Sequence, residues 1–225
     1  MKKDLKKGLI VTGSIIAIIV IVLGVVKLTE KLGSDDNTAT TVEPYANAQL
    51  GITVDSWLKI HEITECDGRV AVVVENLSET DVEYAKLTVK TSVEELSFNV
   101  SALLSGTKAI LICNQDVGSD PEENYTLWEI KDKLVFEKSP SMHEDEIKIT
   151  VTDGSISLEN ISDADISSDI YVCYKEKKNG LLNGSATGRF KISGLNANSQ
   201  TFVKAEKLNE NNCQIIFIEY YDKEL

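Results

Sequence analysis

No glycine-rich phosphate loop, no His-Glu-x-x-His zinc helix and no Gly-x-Ser-x-Gly nucleophile elbow occurs in these 225 residues. The nearest approach to the last, GSATG from Gly184, has the wrong spacing. Histidine is scarce. The only two, His61 and His143, each precede a glutamate (Glu62 and Glu144). Imidazole beside carboxylate can bind metal or move protons. The two pairs nevertheless fall at what look like equivalent positions of a repeat, which favours a structural role, and an enzyme is not expected. No catalytic residue, metal site or cofactor is assigned.

Cysteine is limited to Cys66, Cys113, Cys173 and Cys213, none in the Cys-x-x-Cys spacing of zinc or redox sites. Two readings stand side by side for them. One is a pair of disulfides, most simply Cys66–Cys113 and Cys173–Cys213; the other is small apolar thiols in a core. Aromatics make up 6% of the chain, and only ENYTLWEI brings two large ones together, Tyr125 and Trp128. Such a pair on a loop is a platform for sugar or peptide contact, or else it closes the base of its own fold. Acidic runs at DADISSD and HEDE lack the Asp-x-Asp-x-Asp-Gly order of a calcium loop and read as turn chemistry and solvated surface.

The N-terminus carries the one long hydrophobic run. Lys2, Lys3, Lys6 and Lys7 precede Gly8 to Val26, 19 residues without a charge. As a helix this run spans roughly 28 Å, close to the ~30 Å hydrocarbon core of a bilayer. A cleaved signal peptide has a shorter apolar region and a nearby small-x-small site; the nearest here, Ala46-Asn47-Ala48, is about twenty residues downstream. The expectation is an uncleaved transmembrane helix over 8–27. By the positive-inside rule, residues 1–7 are cytoplasmic and everything after the helix is extracytoplasmic, in a single-pass cell-membrane protein. Without Gly-x-x-x-Gly in the run, no dimer is assigned.

Residues 1–31 hold six lysines and two acids, so the remainder carries −17 while the whole chain is −13. Such an exterior is repelled by phosphate backbones, and nucleic acid is excluded as a partner. Residues 28–49 are polar, rich in Thr, Asn and Asp, and show neither helical nor strand period, as expected of a flexible stalk.

From Leu50 onward the chain reads as short β-branched strands between polar turns, with no long amphipathic helix. In AKLTVK, Leu87 and Val89 alternate with Lys86, Thr88 and Lys90, predicting one buried and one wet face. The strands are written twice. ENLSETDV begins at Glu75 and ENISDADI at Glu159, 84 residues later; Phe98, Ser101 and Leu103 correspond to Phe190, Ser193 and Leu195, 92 residues later. The eight added residues fall in KEKKNGLLNGSATGR, whose two Asn-Gly pairs suit a longer hairpin loop. One point differs: Asn198 stands where the first copy has Gly106, so the tight turn there is expected to change. In the repeated phrase, Asn and Ser side chains bond the turn's own backbone.

The frame strand, Asn-x-Ser, strand, strand, Phe-x-Val-x-x-Leu-x-x-Gly, strand resembles small Ig-like modules of bacterial surface proteins, of the FxLYD and CARDB kind. The order of anchor, stalk, ENLS half and SMHEDEIKITVTDGSISLENIS half is similar to that of uncharacterised membrane-anchored proteins of Firmicutes. The resemblance implies two tandem antiparallel Ig-like β-sandwiches, over 50–138 and 139–225, in an all-β exterior. It implies an adhesive, scaffolding or ligand-presenting role and brings no catalytic residues. The reading is a non-enzymatic binding or scaffold protein that recognises a protein partner by strand edges or loops. A carbohydrate- or ligand-binding sensor using the Tyr125/Trp128 loop is the alternative.

Overall fold

A computed structural model of the chain describes residues 48–118 and 124–221. The expected transmembrane helix and nearly all of the stalk lie outside the described residues; among those described, no helix is long and apolar enough to cross a membrane. Every regular element described is a strand.

The first half contributes β1 (Ala48–Val54), β2 (Leu58–Cys66), β3 (Arg69–Asn76), β4 (Val82–Lys90), β5 (Glu95–Leu103), β6 (Lys108–Ile112) and β7 (Thr126–Val135). The second contributes β8 (Ile147–Thr152), β9 (Ser155–Asn160), β10 (Ile166–Lys178), β11 (Leu181–Asn183), β12 (Gly188–Leu195), β13 (Gln200–Lys204) and β14 (Cys213–Tyr221). Pairing follows one plan in both halves. β2-β3-β6 and β5-β4-β7 in the first correspond to β8-β9-β13 and β12-β10-β14 in the second. Among the described strands β1 and β11 have no counterparts. β1 begins at Ala48, so the last two residues read as stalk already belong to a strand.

Each half has its own apolar centre. One gathers residues from Val54 to Cys113, including Leu58, Ile60, Leu87 and Phe98; the other runs from Ile147 to Ile218, including Leu158, Ile170 and Val172. Each such aliphatic side chain, once buried, contributes about 1.5–3 kcal/mol. The alternation in β4 is only partly as read: Leu87 and Val89 are buried, but so is Thr88. It sits on the central strand between Ser97 and Glu129 of the flanking strands, which cover it.

The repeated phrase forms the same hub twice. Asn76 is fully buried; its Nδ2 donates to Thr80 O at 2.9 Å and Leu103 O at 3.0 Å, while its Oδ1 accepts from Ser78 N at 3.0 Å and Ser78 Oγ at 2.7 Å. Asn160, also fully buried, donates to Ala164 O at 2.8 Å and Leu195 O at 3.1 Å and accepts from Ser162 N at 3.0 Å and Ser162 Oγ at 2.8 Å. The turn chemistry read from the sequence is local. The bonds to Leu103 and Leu195, 27 and 35 residues away, make the same amide a clamp between opposed sheets. The expected difference at Asn198 does not appear: Asn198 takes the same left-handed conformation as Gly106, φ 50° against 67°. Asparagine tolerates that region because its short polar side chain bonds locally, here to Asp163 Oδ1 at 3.3 Å.

The eight added residues hold the largest departure from two independent modules. β10 turns through Asn179-Gly180 into β11, which runs parallel to β6 with Leu182 opposite Ala109 and Asn183 opposite Ile110. An eight-stranded sheet therefore passes from one half to the other. Gly184 is where the segment enters the side of the first half: its N–H donates to Ile110 O at 2.8 Å and its carbonyl accepts from Ser101 N at 2.8 Å. A Cβ there would stand 2.6 Å from Leu111 Cδ2 and 3.0 Å from the Ala109 Cβ. Gly184→Ala is expected to destabilise the protein by about 2 kcal/mol through overpacking, checked by urea denaturation. An unchanged midpoint would mean that this close approach is not made.

Candidate interaction surfaces

Tyr125 and Trp128 do come together, with ring centroids 6.5 Å apart, but the Trp128 ring also stacks on Phe98 at 6.4 Å. Both pack against the first core from its β7 side. The indole is thus engaged in closing its own half, which leaves little free ring face for a sugar. Trp57 is buried in the same core, and Lys133 Nζ lies 4.3 Å from its ring centroid.

The histidines do not occupy equivalent positions. Asn76 pairs with Leu58 and Asn160 with Ile147, so His61 lies three residues after the equivalent point and His143 four before it. The similar His-Glu lettering hid this because the β2–β3 hairpin is the longer one: 18 residues separate Leu58 from Asn76, against 13 from Ile147 to Asn160, and a β-bulge at His61 supplies only one of the extra five. His61 Nε2 meets Glu75 Oε2 at 2.7 Å beside a cleft of about 390 Å³ lined by Leu50, Gly51, Lys59, Glu62, Val73 and Lys108. No hydroxyl or thiol nucleophile lines that cleft. In the second half the His143 and Tyr220 rings meet at a tilt of 53° with centroids 4.5 Å apart, and Tyr220 donates to Glu146 Oε2 at 3.0 Å. Burial, then the Glu146 carboxylate, raises the Tyr220 phenol well above its ordinary range. No group of three or more His, Cys, Asp or Glu among the described residues is arranged to hold a metal ion.

All four cysteines are free and buried, each in a different apolar cluster, so neither Cys66–Cys113 nor Cys173–Cys213 is bonded. The apolar-thiol reading describes them. Burial pushes every one of these thiols up, Cys173 to about 12. In the acidic runs, Asp165 Oδ1 accepts from Ala197 N at 2.8 Å, as Asp81 Oδ1 accepts from Ser105 N at 2.8 Å; these carboxylates fasten the turn.

The feature that sequence reasoning missed is the edge of β6 and what covers it. Leu181 packs on Cys66, Ala71, Ile110 and Ile112, so the tip of the β10–β11 hairpin lies over the outer face of the first sheet. Lys178 Nζ meets Asp67 Oδ2 at 2.8 Å, which lowers the Asp67 pKa, and Asn179 Nδ2 donates to Glu65 O at 3.3 Å. Beneath the strap, Lys175 is 1% exposed and donates to three carbonyls: Ser101 O at 2.6 Å, Asn183 O at 2.9 Å and Ala186 O at 3.1 Å. All three of its protons are used, one of them across the seam. Burial lowers its pKa to about 8. No local signal marks this lysine: it shares the outward phase of Tyr171 and Cys173, opposite the core-facing Ile170, Val172 and Tyr174.

A second surface stands on the outer face of β10, β12 and β14. Tyr171 carries the Arg189 guanidinium at 5.1 Å on one flank and Tyr221 edge-on at 5.1 Å on the other. Lys191 beside them is tied to Asp169 at 2.6 Å, which holds its pKa above the ordinary lysine value.

Neither the family models nor the curated proteins match this chain, and no solved structure matches its fold.

Proposed function

We propose that this chain is a membrane-anchored, extracytoplasmic binding or scaffold protein without enzymatic activity, built as two tandem Ig-like β-sandwiches and recognising a protein partner through its strand edges. The observation that carries the reading is β11 on β6: a sheet edge of this fold takes up an added parallel strand, held by main-chain bonds with side chains seated beside it. Strand addition of this kind is a general mode of peptide recognition. The duplicated strand order supports the Ig-like assignment, and the charge-free run at Gly8 to Val26 supports the anchor. Among the described residues β7 pairs only with β4, which leaves its other edge open and exposes Leu127, Leu134 and Val135. Three register shifts against β4 and the central Lys131 and Lys133 blunt it against self-pairing, so a partner must match it.

The test places a photo-crosslinking residue at Leu134, and separately at Val93 on the β4–β5 turn, in the full-length chain in its native membrane. Edge-specific adducts at Leu134, together with digestion of the folded part by protease added outside the cell, are expected. Resistance to the external protease, or no adduct at either position, would overturn the proposal.

A further inference from the structure

The two halves differ at one equivalent place. β6 pairs with β3 so that Lys108 lies opposite Glu75; β13 pairs with β9 so that Gln200 lies opposite Glu159. Glu75 and Glu159 are the first residues of the repeated phrase, which fixes the correspondence: Lys108 with Gln200, Ala109 with Thr201, Ile110 with Phe202, Leu111 with Val203. On the first half, the outer edge of β6 is taken by β11, and Ile110 is 1% exposed beneath Leu181 of the strap. On the second half, no strand among those described pairs with the outer edge of β13, and Phe202 is 67% exposed.

We infer that the free edge of β13, with Phe202, is the acceptor for an extended segment of a partner protein, laid parallel to β13 as β11 is laid on β6. This deepens the strand-edge reading above and rests on it. The chemistry of the occupant is that of the strap itself. It carries an aliphatic residue to cover Phe202, as Leu181 covers Ile110. Two residues then pair in the ladder, and a residue without a side chain follows where Gly184 passes Leu111. Phe202 stands on the exposed phase of its five-residue strand, so its ring is accessible to an occupant of that edge. A second copy is not the favoured occupant, because its own strap is already engaged on its own β6.

The cis pairing has the help of a tether, which a free peptide lacks, so weak binding is expected in trans. A synthetic peptide of residues 177–189 serves as the probe, titrated into the full-length chain in detergent and followed by backbone amide protection in hydrogen exchange. Saturable binding with new protection confined to β13 and β9 is expected. Phe202→Lys is expected to weaken it by about tenfold, the loss of one apolar contact of ~1.4 kcal/mol. Phe202→Pro, which removes the outward N–H corresponding to that of Ile110 and so blocks the ladder, should abolish it. Thermal unfolding of both variants shows whether the second half still folds, and Phe202→Lys, an exposed change, is the one to rely on. No binding, binding unchanged by Phe202→Lys, or protection appearing on β6 instead would overturn the inference. So would concentration-dependent self-association that Phe202→Lys abolishes, which would assign the edge to a second copy. The crosslinks expected at Leu134 do not depend on β13, so the broader reading and this one fail separately.

Discussion

Asn76→Ala is expected to cost about 3 kcal/mol of stability, and Asn160→Ala a similar amount. Inside the fold the Asn76 amide makes two donated and two accepted bonds, and the Asn160 amide three donated and two accepted. Water can replace some of those at the turn, where Ser78 and Thr80 are partly accessible. It cannot reach the partner at Leu103, whose bond to Asn76 is buried. Stranding a buried acceptor costs roughly 1–3 kcal/mol, and the cavity left by the side chain adds to it. Asn76→Asp sharpens the test. It keeps the oxygen that receives Ser78 but turns the two donated bonds into oxygen against oxygen, so it should be at least as damaging as alanine. Urea denaturation at neutral pH checks both; a loss under 1 kcal/mol for Asn76→Ala would remove the hub from the account of the fold.

Lys175 governs the second large effect, a dependence on pH. Its folded pKa of about 8 lies below the ordinary lysine value of 10.5 that the unfolded chain retains. Between those values the unfolded state binds more protons, so stability rises with pH through that window; below about 8 the buried charge has to be carried at its full desolvation cost. The total is on the order of 3 kcal/mol. The four cysteines act in the opposite sense. Their folded pKa values lie above the ordinary 9.0, so what they contribute is present below about pH 9 and lost above it. The wild-type curve should therefore climb from about pH 8 towards 9 and then fall. Lys175→Met removes the climb and keeps the fall, so the difference between the two proteins isolates the lysine. Equal slopes from pH 7.5 to 9 would show that the ammonium is not held dry at the seam.

Much of this was legible before any coordinates. β-Branched runs between polar turns make strands because branched side chains fit a pleated, half-buried surface. A phrase written twice makes the same turn twice because its bonds are local. The misreadings have physical causes as well. Thr88 is wet by alternation, yet the neighbours of a central strand enclose it. The histidines align as letters, while hairpins of different length displace them in space. The cysteine pairings were open because spacing carries no information on which apolar cluster a thiol enters.

Strand identity and the turn chemistry of Glu-Asn-Leu/Ile-Ser were determined by the sequence alone, since propensity, periodicity and side-chain-to-backbone bonds act over a few residues. Tertiary structure decided what the added segment at Lys178 to Thr187 does. It crosses to the other half, covers Ile110 and buries Lys175, whereas the matching edge at Phe202 stays open. Pairing across 73 residues, as between Ile112 N and Ser185 Oγ at 2.8 Å, depends on where two sheets come to rest, and no local pattern encodes that.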